Sequence, residues 1–226
     1  MQITVLTGAG MSAESGLKTF RDSGGLWEGH DVMEVASPIG WNNNPELVLD
    51  FYNQRRKQLL EVKPNEAHIA LAEMEHEHDV TIVTQNVDDL HERAGSSKVA
   101  HLHGELFKVR STINDTYVID WRKDLVIGDL CSDGYQLRPH IVWFGEAVPM
   151  MEEAVRVVRQ SEILMVVGTS MQVYPAAGLL SYAPHDCPVY FVDPNPSISS
   201  NDRITVFAEN ASTGVPKAIE MISELN

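Results

Sequence analysis

Apolar residues along this chain recur with two different periods. Short β-branched and aliphatic runs at 3–6, 80–84, 99–102, 163–167, 189–192 and 204–207 are bounded by polar residues and glycine, as strands buried on both faces are. Between them, apolar positions three and four apart predict helices. The longest covers 46–62, with Leu47, Val48, Phe51, Leu59 and Leu60 as its stripe. Asn44 can cap it, Pro45 takes the first helical position, and Pro64 ends it. A second helix, about 65–78, contributes Ala67, Leu71 and Met74 to the core, and others fall near 150–160, 175–183 and 215–225. Residues 104–139 differ: short alternating pieces, many aspartates, and turn signals at Asn114-Asp115 and Asp133-Gly134 predict a small β-rich insert. Ile141-Val142-Trp143-Phe144 then brings the core strands back. Strands alternating with helices predict an α/β fold with a doubly wound parallel sheet. The expected organisation is a single domain. Its large part covers about 1–27, 80–103 and 140–226; its small part has a helical piece, 28–79, and the β-rich piece, 104–139.

Three strands end in glycine or polar residues: Thr7-Gly8, Thr84-Gln85-Asn86 and Gly168-Thr169-Ser170. Ligands of such sheets sit at the carboxyl ends of the strands, so these ends should converge on one site. After the first, Gly8, Gly10 and Ala13 fit the G-x-G-x-x-G/A turn that aims backbone N–H groups and a helix start at a diphosphate. An ordinary strand–helix turn explains those positions equally well. A Rossmann-like dehydrogenase would continue into a second strand ending in an acidic residue about 20 positions on. Residues 18–30, KTFRDSGGLWEGH, are instead a long polar loop carrying Phe20, Arg21 and Trp27. That loop is expected to act as a flap over a bound dinucleotide, which disfavours hydride transfer.

Three further groupings admit more than one role. Gln85, Asn86 and Asp88 offer amides and a carboxylate to ribose hydroxyls and a carboxamide, or Asn86 or Asp88 simply caps the helix that follows. His101 and His103 alternate onto one face at a strand end, where they are metal ligands, a catalytic base or structural histidines. Tyr52 and Arg55, at i and i+3 on one helix face, can grip a carboxylate, or belong to a solvated patch with Arg56 and Lys57.

Composition narrows the partners. A net charge of −15 argues against nucleic acid and is compatible with a basic, lysine-bearing protein. No apolar run reaches the ~20 residues that span a bilayer, so no membrane partner is expected. The first strand begins at residue 2, leaving no room for a targeting peptide, and Cys131 and Cys187 are far apart; a cytoplasmic protein with reduced thiols is expected.

Taken together, the segments GAGMSAESG at 8–16, TFR at 19–21, GLW at 25–27, TQNVD at 84–88, HLHG at 101–104, LRPHIVWFGE at 137–146, GTS at 168–170 and VYPAAGL at 173–179 resemble the sirtuins, NAD-dependent protein lysine deacylases. The resemblance implies that Gly8, Ala9 and Gly10 cradle the diphosphate, with Gly168, Thr169 and Ser170 on the second phosphate and ribose. It places Asp193, Pro194 and Asn195 at the adenosine ribose, although an asparagine is usual where Asp193 stands, and Ala211 in the adenine pocket. Ser15, Thr19, Phe20, Arg21 and Trp27 fall to the flap side of the cofactor, and Gln85, Asn86, Val87 and Asp88 to its nicotinamide ribose and carboxamide. The acylated peptide is expected to add as a strand beside Phe144, Gly145 and Glu146, touching Val142 and Val173.

The chemistry implied is transfer of the acyl group onto NAD. The acyl-lysine oxygen attacks C1′ as nicotinamide leaves, with Asn86 positioning the ribose; His103 then acts as general base so that the 2′-oxygen attacks the amidate carbon. Free lysine, nicotinamide and 2′-O-acyl-ADP-ribose result. Tyr52-Asn53-Gln54-Arg55 resembles the Y-x-x-R element of sirtuins that remove succinyl and malonyl groups. Sirtuins usually hold a structural zinc with four cysteines in the insert; here the insert has only Cys131, with Ser111 and Asn114 near where the first pair would fall, so no zinc is expected. Phe107, Val109, Tyr117, Ile119, Trp121 and Leu125 are expected to hold it by packing. A mono-ADP-ribosyltransferase, an NAD glycohydrolase and an inactive NAD-binding module are the alternatives on the same scaffold.

Overall fold

The computed structural model describes residues 1–18, 26–27, 29–169 and 176–225, without the side chains of Leu26, Trp27 and Ala176. Six strands form one parallel sheet: β1 (Gln2–Thr7), β4 (Asp79–Thr84), β5 (Val99–His101), β9 (Ile163–Val167), β10 (Val189–Val192) and β11 (Ile204–Phe207). A two-residue pair, β2 (Leu26–Trp27) and β3 (His30–Asp31), stands apart. Three more strands, β6 (Gly104–Ser111), β7 (Val118–Asp120) and β8 (Leu137–Ile141), make a small antiparallel sheet. The large sheet runs β5-β4-β1-β9-β10-β11. Chain order reverses between β1 and β9, the switch point of a doubly wound, Rossmann-like sheet.

Strand alternation sorts the core into two layers. Ile3, Val5, Ile82, Met165, Val167 and Val192 face one side, with α5 (Glu66–Met74) and α8 (Ala211–Ser223) packed there through Leu71, Val215 and Ile222. Leu6, Val83, Leu164, Val166 and Phe191 face the other, under α7 (Met151–Arg159) and a 3-10 helix (Ala176–Tyr182). The short α1 (Gly10–Ala13) follows β1. The helices α2 (Val32–Val35), α3 (Pro38–Asn43) and α4 (Pro45–Glu61) follow, and Val48, Phe51 and Tyr52 of α4 pack on Leu106, Ile141 and Trp143. The remaining helix, α6 (Leu90–Ala94), ends at Gly95 in the left-handed conformation. In the insert, Val109, Leu125, Cys131 and Leu137 pack with Tyr117, Ile119 and Trp121, while Phe107 joins the cluster around Tyr52.

Several expectations shift. The apolar run 141–144 is not a core strand: the strand is β8, which pairs antiparallel with β6, and 142–144 leaves the sheet toward the cleft. Its Arg138, Pro139 and His140 hid it: an edge strand tolerates proline, and Arg138 is buried against Trp143 and Glu146. The helix expected over 65–78 stops at Met74, and the segment near 175–183 is 3-10 rather than α. α8 starts at Ala211, four residues earlier than expected; Gly214 and Pro216 look like breakers, but Gly214 is needed where a Cβ would strike Val192. Arg56 is no part of a solvated patch. It is buried, donating from Nε to the Leu106 carbonyl and from a terminal nitrogen to Asn53 Oδ1. Among the described residues no helix is long and apolar enough to cross a membrane.

Candidate active site at the sheet switch point

At the switch point the loops after β1 and β9 are stitched together. Gly8 N donates to the Val167 carbonyl at 3.0 Å and Gly10 N to the Gly168 carbonyl at 2.8 Å. A Cβ on Gly10 would lie 2.7 Å from Gly168 Cα, and one on Gly8 would lie 2.7 Å from Thr169 Cβ; Gly168 itself has φ +61°. Only glycine fits these approaches. They open a cavity of about 500 Å³ lined by Gly8, Ala9, Gly10, Gly168 and Thr169, by Gln85–Asp88 and His103, and by Tyr52 and Arg55. Val142, Phe144, Gly145 and Glu146 also face it, as do Asp193, Pro194 and Asn195. That volume is within the range of small-molecule and cofactor sites.

The polar wall is built from the ends of β1 and β4. Gln85 N donates to the Thr7 carbonyl, and Gln85 Nε2 to Thr169 Oγ1 at 3.2 Å. Asn86 Nδ2 donates to the Gly8 carbonyl (3.0 Å) and to Ser12 Oγ (3.2 Å), whose proton goes to Asp88 Oδ2 (3.0 Å). Asp88 Oδ1 accepts from Leu90 N, so this carboxylate both starts α6 and lines the cavity. Burial holds its pKa above the usual carboxylate range.

The two histidines have different surroundings. His103 Nδ1 lies 3.0 Å from the Gln85 carbonyl, which can only accept. The proton therefore sits on Nδ1, and Nε2 keeps its lone pair. Burial lowers the pKa below 6.5, against the opposing pull of that hydrogen bond, so the ring is neutral at pH 7. His101 stands outside the cavity: Nδ1 donates to the Asn86 carbonyl (3.1 Å) and Nε2 meets Glu92 Oε1 (2.7 Å). Burial pulls its pKa down, but the Glu92 hydrogen bond and charge more than offset this.

At the opposite end Tyr52 is fully buried, and its hydroxyl oxygen accepts from Trp143 Nε1 at 3.1 Å. The Arg138 guanidinium stacks 3.3 Å from the centre of the Trp143 ring and binds Glu146 Oε1 at 2.7 Å. Glu146 also accepts from Trp143 N (2.8 Å) and from Arg110 (3.2 Å). Its carboxylate thus braces the wall rather than reaching for a ligand. Arg55 lies on the Phe51 ring, 5.5 Å from its centre, on the same side of α4 as Tyr52.

On the far side of the switch point, Asp193 Oδ1 accepts from Asn195 N at 2.9 Å, shaping the turn after β10. Ser15 and Ala211 do not line the cavity; Ala211 is packed into the core, and its neighbour Asn210 lines the cavity instead. Thr19, Phe20, Arg21, Ser170 and Val173 lie outside the described residues, as do the Trp27 side chain and most of the expected flap. Sequence reasoning passed over Ser12 and Trp143. Ser12 sits inside the glycine motif on the first turn of α1, a position that faces whatever β1 points at; Trp143 was hidden in an apolar run.

A family model described as the Sir2 family matches residues 8–175. An NAD-dependent protein deacylase of Helicobacter pylori (strain J99) is 58% identical over 229 aligned positions, covering 98% of this chain and 97% of the relative. Another from Bacteroides thetaiotaomicron is 53% identical, with 97% of each chain covered. A solved Sir2 homologue in complex with NAD superposes with a TM-score of 0.87 at 35% identity, over 99% of this chain and 90% of that one. An ADP-ribose complex of a Sir2 homologue carrying a serine-to-alanine substitution gives a TM-score of 0.88 at the same identity, over 99% of this chain and 92% of that one.

Proposed function

This chain belongs to the Sir2 family, and we propose that it is an NAD-dependent protein lysine deacylase yielding nicotinamide, 2′-O-acyl-ADP-ribose and free lysine. One observation carries the chemistry. His103 shares a cavity with the glycine-lined diphosphate cradle, and its Nδ1–H is committed to the Gln85 carbonyl, which leaves Nε2 as a base. NAD is a substrate here. Gly8, Gly10 and Gly168 let backbone approach its diphosphate, Asn86 and Asp88 face the nicotinamide ribose, and His103 Nε2 takes the proton of a ribose hydroxyl so that its oxygen attacks the acyl carbon. Cytoplasmic action on acylated-lysine proteins completes the proposal.

For the acyl group, we propose that succinyl and malonyl are accepted at least as well as acetyl. Tyr52 stays protonated because burial raises its pKa, and Arg55 brings the charge that a terminal carboxylate needs. The insert, on this proposal, folds without zinc. Cys131 Sγ lies in an apolar cluster, 3.7 Å from Ser111 Oγ, which itself accepts from Ile113 N and Asn114 N. One buried thiol beside a hydroxyl does not match the four-thiolate set.

The test incubates the protein with NAD and matched acetyl-, succinyl- and malonyl-lysine peptides and identifies products by mass. Acyl-ADP-ribose and free lysine are expected, with a loss of roughly 10²–10⁴-fold in His103→Ala. Free ADP-ribose with the acyl-lysine intact would favour a glycohydrolase, and ADP-ribose attached to protein a transferase.

A further inference from the structure

Away from the cavity, metal-ligating side chains from three separate elements converge. Glu92 on α6, His101 at the end of β5 and Glu105 on β6 each offer one ligand atom, and all three atoms lie within 4.8 Å of one another. Among the described residues this is the one such cluster. His101 is the fixed member: its ring is buried, Nδ1 donates to the Asn86 carbonyl at 3.1 Å, and Nε2 is thereby held toward the two carboxylates. Metal-bound imidazoles are typically anchored in this way, one nitrogen on a carbonyl and the other presented as the ligand. Glu92 is exposed, so an ion can arrive from solvent. Glu92 already meets His101 Nε2 at 2.7 Å, and Lys108 Nζ holds Glu105 Oε2 at 2.7 Å. The lysine pair is partly exposed and joins residues three apart, so it is a weak competitor.

We propose that Glu92, His101 and Glu105 bind a divalent ion of the zinc class, and that its presence is felt at Asn86 through the His101 hydrogen bond. An imidazole with two carboxylates suits Zn²⁺, water completing a four-coordinate shell. The ion takes the place of the proton shared by Glu92 and His101 and displaces Lys108 from Glu105. Ligation through Nε2 fixes the ring's tautomer and orientation, and so locks Nδ1–H onto the Asn86 carbonyl. Asn86 in turn grips the Gly8 carbonyl and Ser12 Oγ, so the loop that walls the cavity is pinned by an ion bound outside it.

The experiment strips the full-length chain with a chelator and titrates it with ZnCl₂ by calorimetry. Glu92→Gln, Glu105→Gln, Lys108→Met and Cys131→Ser variants are run alongside. Wild type and Cys131→Ser should bind one zinc equally well, Glu92→Gln and Glu105→Gln roughly tenfold or more weakly, and Lys108→Met more tightly. Zinc should also change the dissociation constant for NAD, read by tryptophan fluorescence, in wild type and not in Glu105→Gln. No binding, equal binding in wild type and both glutamine variants, or loss confined to Cys131→Ser would overturn the site. An NAD affinity unmoved by bound zinc would overturn the coupling.

Discussion

Trp143 Nε1 donates to the Tyr52 hydroxyl across 3.1 Å, joining the strand exit after β8 to the middle of α4. Because that oxygen accepts from the indole, the phenolic proton is directed elsewhere, and the ring's orientation is set by a tryptophan that Arg138 covers. Trp143→Phe should keep the stacking and lose the hydrogen bond, worth about 0.5–1.5 kcal/mol. The expected result is a KM for succinyl-peptide raised roughly two- to tenfold with acetyl-peptide unchanged, read from steady-state kinetics on both.

Arg55→Met should separate the substrates further. A charged donor lost from a carboxylate costs about 1.5–3 kcal/mol, or roughly ten- to a hundredfold in kcat/KM for succinyl-lysine. Acetyl turnover should stay within about twofold. Equal losses on both would remove Arg55 from acyl recognition.

Gly10→Ala should weaken both fold and cofactor site, since its Cβ would sit 2.7 Å from Gly168 Cα and 2.9 Å from the Gly168 carbonyl oxygen. Two backbones must part, at about 1–3 kcal/mol, and Tm should fall by roughly 2–10 °C. Calorimetry with and without NAD checks this: the stabilisation by NAD should shrink along with Tm.

Acid stability should be governed partly by His68. Burial lowers its pKa from 6.5 to about 4; it lies against the equally buried His91, 4.8 Å between ring centres with the planes tilted by 59°, and Glu92 opposes the shift. A base whose folded pKa is depressed takes its proton first in the unfolded chain. The fold is therefore at full strength above pH 6.5 and loses stability as pH falls toward 4, by roughly 3 kcal/mol in total. Denaturant titrations from pH 7 to 4 should show this slope in wild type and about one proton less of it in His68→Leu.

The six core strands were legible because each is an apolar run flanked by polar punctuation, and the glycine turn was legible because its spacing is local. β8 was not, because a strand whose buried positions include Arg138 and Pro139 carries no apolar alternation to separate it from its surroundings. Ala211 packs into the core while its neighbour Asn210 lines the cavity, since residues on either side of a helix start differ by about 100° in direction and sequence does not give the axis.

By itself the sequence determined the six core strands, the parallel doubly wound sheet and the clustering of polar residues at strand ends, all of which follow from local periodicity and chain connectivity. Tertiary structure alone decided that Gly8 and Gly10 are required by Gly168 and Thr169 across the switch point, and that Tyr52 rests on Trp143. It also decided that His101 and His103, two residues apart, face different partners. The reason is that these contacts join segments far apart in the chain, and their distances depend on how the sheet and the small module pack together.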